Sequence, residues 1–510
     1  MDIPHTDLAD CSAAALAQLY RDGAASPVDA VHAVFARIDR MEPQLNAFVC
    51  QDREAALHSA RASTARWAAH AALGPLDGVP VSIKDLILTK GLPTLRGSHT
   101  IEAAQSWDVD APATARLREA GAVILGKTTT PEFGCKGETN SPRSGITRNP
   151  WNPAKTAGGS SGGAAAAVAA GMGPIAIGTD GAGSVRIPAA FCGCFGLKPS
   201  FGRVPAYPLS PFGSVAHIGP LTRDVRDAAL VMNILKRPDA RDWTSLPFDA
   251  TDYTAGLDDG IRGLRIAWSP TLGYARNVHP DVAAAVRRAV LDLERLGAHI
   301  EQTDPGFDDP LEITTGLWFV SAWTVWNALT PEQQAVTDPD FRAQAAMGEK
   351  FTALEIQNLH LRRGALGSHM RQFMQRYDLI ATPTLAVPAF DALAAGHAPM
   401  SPEAMLGWTP FSYPFNLTQQ PACTIPCGMS AAGPLPRGSH RSPQGEGTPE
   451  NPAGPLPRGS HRSAKHEGTP IGSEGLPIGL QLVGPMFGDA LVLRAARAYE
   501  QLRPLARLPA

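Results

Sequence analysis

The alternation of apolar and polar positions in the first half of the chain predicts short buried strands separated by helices. A helix is expected to begin at Pro27, because Ser26 can cap it and apolar residues recur at helical spacing after it. Further strands are predicted at 79–83, 122–125 and 175–178, and further helices at 114–120 and 163–171. This alternation indicates an α/β fold, in which a sheet is covered by helices on both faces.

The pattern becomes more helical between residues 220 and 400, where 280–296 reads as an amphipathic helix. A Trp-rich segment within this part of the chain holds Trp318, Trp323 and Trp326. We expect them to pack in the core, with the lining of a substrate cleft as the alternative.

Residues 431–473 differ in kind from the rest of the chain. The string AGPLPRGSHRS occurs at 432–442 and again at 453–463, so the segment contains a tandem repeat. It is rich in Pro, Gly and Ser and has no apolar periodicity, so it can bury too little surface to offset the entropy of ordering. We therefore predict a flexible surface excursion inserted into the fold.

Composition and charge exclude several classes of function. The chain has 45 basic and 48 acidic residues and a net charge of −3, which provides no field for binding nucleic acid or an anionic membrane. The longest charge-free apolar stretch, 162–178, is dominated by Gly and Ala and contains Pro174, unlike a membrane span. Residues 1–14 carry acids where a signal peptide would carry basic residues, which predicts a cytoplasmic protein.

The cysteines point to the same compartment. Seven is an odd number in a long chain and suits reduced thiols better than a disulfide framework. Cys192 and Cys194 have no second cysteine pair nearby, so we expect core packing and no metal site.

Two glycine-rich loops, 158–163 (GGSSGG) and 179–188 (TDGAGSVRIP), each present a serine. A phosphate-binding loop would need Gly-Lys-Ser/Thr, but no lysine lies between Lys155 and Lys198. The first loop also fits the G-x-S-x-G pattern of a nucleophile elbow. An elbow follows a buried strand, however, and the residues before this loop, NPAKTA, do not form one.

The run GGSSGGAAAAVAAGMGPIAIGTDGAGSVRIPAAFCGCFGLKPSFGRVP, together with VSIKDL around Lys84, closely resembles the amidase signature family. The likeness extends to EAGAVILGKTTTPEFG, GITRNPWNP and GLPIGLQLVG, thins between 240 and 375, and fails in 431–473. It implies one domain over 1–510, built on a twisted mixed β-sheet flanked by helices. It also implies cleavage of a carboxylic amide to an acid plus ammonia or an amine through an acyl-enzyme, with no cofactor and no metal.

The resemblance implies a Ser-Ser-Lys triad with Lys84 as base, Ser160 as a bridging serine after a cis peptide bond, and Ser184 as nucleophile. Serine needs a positioned base, and lysine can act as one only when neutral. Lowering a lysine pKa from ~10.4 to near 7 takes roughly 4 kcal/mol, which burial among apolar neighbours can supply. If Lys84 ends a strand, Asp85 points to the opposite face and need not restore the charge.

The oxyanion hole is expected to consist of backbone N–H groups from four consecutive residues: Gly181, Ala182, Gly183 and Ser184. Family members commonly have glycine where Ala182 stands, so a positive φ there would add strain of ~1–2 kcal/mol.

Four further residues are expected to support the loops. Asp180 and Arg186 flank the nucleophile and are predicted to pair, while Ser161 and Thr179 are predicted to form hydrogen bonds between the loops. His217 falls near the predicted cleft, but the histidines show no metal-ligand spacing and no arrangement that favours a Ser-His-Asp hydrolase.

Two alternatives to a stand-alone amidase remain open at this point. The family also contains the glutamine-hydrolysing component of tRNA-dependent amidotransferases, their A subunit, which releases ammonia from glutamine, although Ile187 stands where such proteins typically carry glutamine. The second is a catalytically inactive scaffold, which an intact triad disfavours. The expected partner is a small-molecule amide; a homodimer is one possible assembly, and the sequence does not distinguish aliphatic, aryl, amino-acid and carbamate substrates.

Overall fold

A computed structural model describes residues 7–392, 406–431, 475–505 and 508. The strands are β1 Phe48–Gln51, β2 Pro80–Lys84, β3 Val123–Thr128, β4 Asn140–Ser141, β5 Gly145–Ile146, β6 Ile175–Asp180, β7 Phe195–Lys198, β8 His217–Thr222, β9 Arg265–Trp268, β10 His299–Gln302, β11 Leu379–Pro383, β12 Ala422–Met429 and β13 Pro477–Val483. The helices are α1 Ala13–Arg21, α2 Pro27–Leu45, α3 Arg53–Ala68, α4 Pro112–Glu119, α5 Gly162–Ala169, α6 Arg186–Cys192, α7 Val225–Leu235, α8 Pro280–Arg295, α9 Leu311–Asn327, α10 Pro331–Ala335, α11 Pro339–Gly348, α12 Ala353–Phe373, α13 Pro414–Leu417 and α14 Asp489–Leu502.

Eleven of these strands form one sheet in the order β1-β3-β2-β6-β8-β7-β12-β13-β11-β9-β10. Strand β2 pairs in parallel with β3 and β6, and β9 pairs in parallel with β10 and β11. The other neighbours in this sheet are antiparallel. The predicted mixed sheet is confirmed, and the parallel pairing places the carboxyl ends of β2 and β6 at the same edge.

Helices cover both faces of the sheet, as the alternation predicts. Ile175 and Ile177 of β6 belong to a buried cluster that includes side chains of α7, α8 and α14. Ala176, between them, belongs to a second cluster that includes side chains of α2 and α5. Successive residues of one strand thus serve opposite layers, which is why β6 begins with the three consecutive apolar residues Ile175, Ala176 and Ile177.

The predicted helix at Pro27 is confirmed, and its cap is a reciprocal one. Ser26 Oγ accepts the N–H of Asp29, and the Asp29 carboxylate accepts the N–H of Ser26. The pattern between residues 220 and 400 predicts helices and does not predict the strands β9, β10 and β11 that the structure has there. They are short, and β10 is largely exposed, so none of the three has a periodic signal strong enough to separate it from a loop.

No disulfide joins the seven cysteines, and Cys192 and Cys194 are buried in the core beside α5 and α6. Among the residues that the structure describes, no helix combines the length and apolar character needed to cross a membrane.

The repeat at 432–463 lies outside the described residues, but its flanks do not. Strands β12 and β13 are antiparallel neighbours, with Met429 opposite Pro477. Beyond that pair, the N–H of Ser430 donates to the carbonyl of Leu476 at 2.8 Å. The two residues that flank the insertion therefore lie close together in space.

We therefore expect that replacing 431–473 with Gly-Asp-Gly preserves soluble expression and hydrolysis of a small amide, because the remaining ends already form a hairpin. Loop-closure entropy changes slowly with length, so the free energy of unfolding should change by no more than about 1–2 kcal/mol. Thermal unfolding and turnover measure both effects. A Gly/Ser linker of the original length is the matched control. Failure to fold would show packing in the repeat, and loss of activity only on bulky amides would identify a lid.

Candidate active site

Lys84, the last residue of β2, is fully buried. Its Nζ lies within hydrogen-bond distance of three hydroxyl oxygens: Ser160 Oγ at 2.6 Å, Ser161 Oγ at 2.9 Å and Thr179 Oγ1 at 2.8 Å. Burial lowers the pKa of this amine well below its usual value, and the charge of Asp180 opposes the shift only in part. Burial thus favours the neutral form of this amine, which is the form of lysine that can accept a proton, and three hydroxyl groups surround it.

Asp85 does not restore the charge of Lys84. Its carboxylate accepts the backbone N–H groups of Leu95 at 2.9 Å and Gly97 at 3.3 Å, in a neighbouring loop. Burial raises the pKa of Asp85 to about 6. The prediction that this carboxylate points away from Lys84 is confirmed.

The two serine loops are tied to one another. The Gly159–Ser160 peptide bond is cis, as the resemblance implied. Ser161 precedes α5, and its Oγ donates to the Thr179 carbonyl at 3.1 Å and accepts the Thr179 N–H at 3.2 Å. The N–H of Ser161 donates to the carbonyl of Ser184 at 3.2 Å. These bonds place the first loop beside the end of β6 and beside the second loop.

Ser184 lies between β6 and α6, and it lines the same cavity as Ser160. The Ser184 hydroxyl has no hydrogen-bond partner in the described part of the chain, so it is available to a molecule in the cavity. The structure therefore brings all three predicted triad residues, from three separate segments, to one site.

The four expected oxyanion donors differ in their availability. The N–H of Gly183 already donates to Asp180 Oδ1 at 2.7 Å. The N–H groups of Gly181, Ala182 and Ser184 form no hydrogen bond with any described residue. Three of the four expected groups are thus free to face a ligand, and the fourth holds the loop.

The strain that a positive φ would cause at Ala182 does not arise. The positive φ of this loop, 122°, is at Gly183 and not at Ala182. A Cβ at Gly183 would also lie 2.5 Å from the hydroxyl of Ser412. Glycine is required one position after Ala182, so alanine is accommodated at 182 at no backbone cost.

Asp180 and Arg186 form the predicted pair, with both side chains fully buried and an N–O distance of 3.0 Å. Burial raises the pKa of Asp180, but the charge and hydrogen bonds of Arg186 outweigh it and hold the pKa below its usual range. Arg186 also donates to Asn416 Oδ1 at 2.5 Å and to Gln481 Oε1 at 2.7 Å. Sequence reasoning missed Asn416 and Gln481, because no local pattern connects them with a loop more than 200 residues away.

Apolar and aromatic side chains form most of the cavity wall, among them Leu86, Phe133, Tyr207, Leu209, Phe212 and Trp318. The ring of Trp318 stacks on Phe212 with centroids 4.0 Å apart. For Trp318 the alternative of lining the cleft is therefore the correct one. Trp323 and Trp326 pack instead against a cluster around Phe341.

His217 also lines the cavity, but it is not the base of a serine hydrolase triad. Its Nδ1 lies 2.8 Å from the carbonyl of Val215, so this nitrogen carries the proton. Its Nε2 is buried without a hydrogen-bond partner among the described residues, and burial lowers the pKa of the ring well below its usual value. In the same part of the chain, no group of three His, Cys, Asp or Glu side chains is arranged to hold a metal ion.

Comparisons with known proteins find relatives along nearly the whole chain. The model of the Amidase family matches residues 29–493. An acylamidase from Rhodococcus erythropolis is 36% identical over 488 residues, covering 94% of this chain and 93% of the relative. The A subunit of a glutamyl-tRNA(Gln) amidotransferase from Chloroflexus aurantiacus is 34% identical over 505 residues, with 94% of each chain covered.

Two solved structures extend the likeness to the fold. A bacterial aryl acylamidase of the amidase signature family has a TM-score of 0.82 at 28% identity, covering 97% of this chain and 96% of that chain. A 6-aminohexanoate cyclic dimer hydrolase, solved with its substrate, has a TM-score of 0.82 at 27% identity, with 98% and 99% covered.

Proposed function

The chain belongs to the amidase signature family and is an amide hydrolase, and from that premise we propose that Ser184 is its nucleophile, Ser160 its proton relay and Lys84 its base. The observation that carries this assignment is the buried amine of Lys84, which is 2.6 Å from Ser160 Oγ beside the cavity that Ser184 lines. Neither a metal nor a cofactor takes part in the proposed chemistry.

Acylation begins as Ser184 Oγ attacks the amide carbon and loses its proton to Ser160, which passes its own proton to Lys84. The free N–H groups of Gly181, Ala182 and Ser184 stabilise the resulting oxyanion, and each such donor is worth roughly 10²–10³ in rate. The C–N bond then breaks as the proton returns through Ser160 to the departing nitrogen. Water then attacks the acyl carbon as Ser160 and Lys84 take its proton, and the relay returns that proton to Ser184 Oγ as the bond between this oxygen and the acyl carbon breaks and the acid leaves.

Asp180 and Arg186 act as positioning residues in this scheme. Asp180 accepts the N–H groups of Gly183 and Val185 at 2.7 and 3.2 Å, on both sides of the nucleophile. Arg186 Nε donates to the same carboxylate at 3.0 Å. Ser161 and Thr179 orient the lysine through their hydroxyl oxygens. These four side chains fix the loop and the base before substrate arrives, so the substrate does not have to order them.

The cavity wall supports a substrate with an apolar or aromatic group next to the amide. Phe133, Phe212 and Trp318 line the same cavity as the serines, and their ring surfaces would bind an aryl or alkyl body better than the polar chain of glutamine. The names of the relatives fit this class, since they include an acylamidase and an aryl acylamidase.

We expect the purified protein to hydrolyse 4-nitroanilides of medium-length fatty acids and to leave free glutamine unchanged. Initial rates with anilides, aliphatic amides, esters, carbamates and glutamine measure the preference. Release of ammonia from glutamine, with no turnover of anilides, would instead support the glutamine-hydrolysing role of an amidotransferase component.

A further inference from the structure

Arg96 is the one arginine or lysine among the described residues that line the mostly apolar catalytic cavity. It lines this cavity together with Ser160, Ser184 and Phe133. Across the described residues its guanidinium forms no hydrogen bond, ion pair or ring contact. The negative charge of Asp85 acts on Arg96, but without a hydrogen bond or ion pair to its side chain, so a guanidinium with five N–H donors is left unpaired in the residue set that lines the cavity of Ser184.

The backbone around Arg96 is held firmly. Its own N–H donates to the carbonyl of Asp85 at 3.0 Å, and its carbonyl accepts the N–H of Phe133 at 2.8 Å. The carboxylate of Asp85 accepts the N–H groups on either side, from Leu95 and Gly97. Asp85 therefore anchors the turn through its oxygens and does not form an ion pair with the side chain. Arg96 also has a φ of 54°, a conformation that a non-glycine residue keeps only when its surroundings hold it there.

Arg96 is half-buried, whereas the arginines that are buried in the described part of the chain are paired with carboxylates. Arg186 is paired with Asp180 at 3.0 Å, and Arg37 is paired with Asp7 at 2.7 Å and Asp10 at 3.0 Å. A partly desolvated guanidinium is unfavourable without such a partner, and a carboxylate satisfies it best because two N–H groups match two oxygens. Arg96 lacks this partner within the described chain and faces the space that the substrate occupies.

We propose that Arg96 binds a carboxylate carried by the substrate, so that the preferred substrates are amides whose apolar or aromatic body bears a negative charge. This inference rests on the proposed function, because it assigns a subsite next to the same nucleophile. The apolar wall binds the body of the substrate, and Arg96 fixes its charged end. Arg96 is thus a specificity-determining residue that does not take part in bond breaking.

Matched substrate pairs test the proposal on either side of the amide. On the acyl side, glutaryl-4-nitroanilide ends in a carboxylate where 5-methylhexanoyl-4-nitroanilide ends in an isopropyl group of similar size. N-acetyl-4-aminobenzoate and 4-isopropylacetanilide differ in the same way on the amine side. We expect the wild-type protein to have the higher kcat/KM for the charged member of at least one pair. In Arg96→Gln that charged-to-neutral ratio should fall about 10- to 100-fold, the size expected for loss of a charge-assisted hydrogen-bond pair.

Two further variants sharpen the result. Arg96→Lys keeps the charge but not the planar fork, so its ratio should lie between those of the wild type and Arg96→Gln. Arg40→Gln, which removes an exposed arginine of α2, should leave the ratio unchanged. Because the wild-type ratio is itself diagnostic, the test does not depend on the folding of any variant.

The outcomes separate this inference from the proposed function. Preference for the neutral member in both pairs, or an unchanged ratio in Arg96→Gln, would overturn the carboxylate subsite while leaving an active hydrolase. If no member of either pair is cleaved and Ser184 does not react with a fluorophosphonate, the proposed function itself fails.

Discussion

Ser184→Ala is expected to abolish both amide turnover and covalent labelling by a fluorophosphonate, because no acyl-enzyme can form without the nucleophilic oxygen. Loss of a nucleophile that acts as part of a catalytic unit lowers kcat by roughly 10⁶. The substitution removes one hydroxyl that has no hydrogen-bond partner among the described residues, so the fold should be retained. Mass spectrometry of the labelled protein and initial rates with a 4-nitroanilide measure the two effects.

Ser106→Ala, which removes an exposed serine of a surface loop, is the control and should keep both labelling and turnover. Labelling that persists in Ser184→Ala would identify a different nucleophile. Ser160 would then be the candidate, and the arrangement would be closer to an elbow mechanism than to the proposed relay.

Lys84→Met is expected to reduce kcat/KM almost as severely, because Ser160 then has no acceptor for its proton. Protonated Lys84 cannot act as a base, so activity of the wild type should be low in acid and rise with pH. Burial lowers the pKa of Lys84 below its usual value of 10.5, so this rise should occur well below that pH and be followed by an alkaline plateau. The midpoint belongs to the coupled site of lysine and serines.

The chain offers a matched control for this assignment. Lys127 is a second buried lysine, with a pKa lowered by burial to about 8, but it donates to the Ile87 carbonyl and Thr94 Oγ1 and does not line the cavity. In Lys127→Met, kcat/KM should therefore rise from its low value in acid at the same pH as in the wild type. A flat wild-type profile from pH 5 to pH 9, under conditions where chemistry limits the rate, would contradict Lys84 as the base.

Local pattern was sufficient to identify much of the fold and the chemistry of this chain. The capped start at Pro27, the buried strand that ends at Lys84 and the strand that begins at Ile175 are all in the structure. These features depend on residues within a few positions of one another, which hydrophobic periodicity and capping rules describe directly. The two glycine-rich serine loops are equally local features, but the triad and its assembly from three segments were implied only by the resemblance.

Tertiary structure decided the contacts between segments that are distant in the chain. It showed that Gly183 donates its N–H to Asp180, so that three of the four expected oxyanion donors stay free. It also placed Asn416 within hydrogen-bond distance of Arg186. Trp318 and Arg96 both line the cavity, and the Arg96 side chain forms no hydrogen bond or ion pair with a described residue. The physical reason is that strand order and loop packing depend on the free energy of the whole sheet and its two helical layers. A residue's own neighbours determine its backbone preference and its burial, but they do not determine which remote side chain will face it.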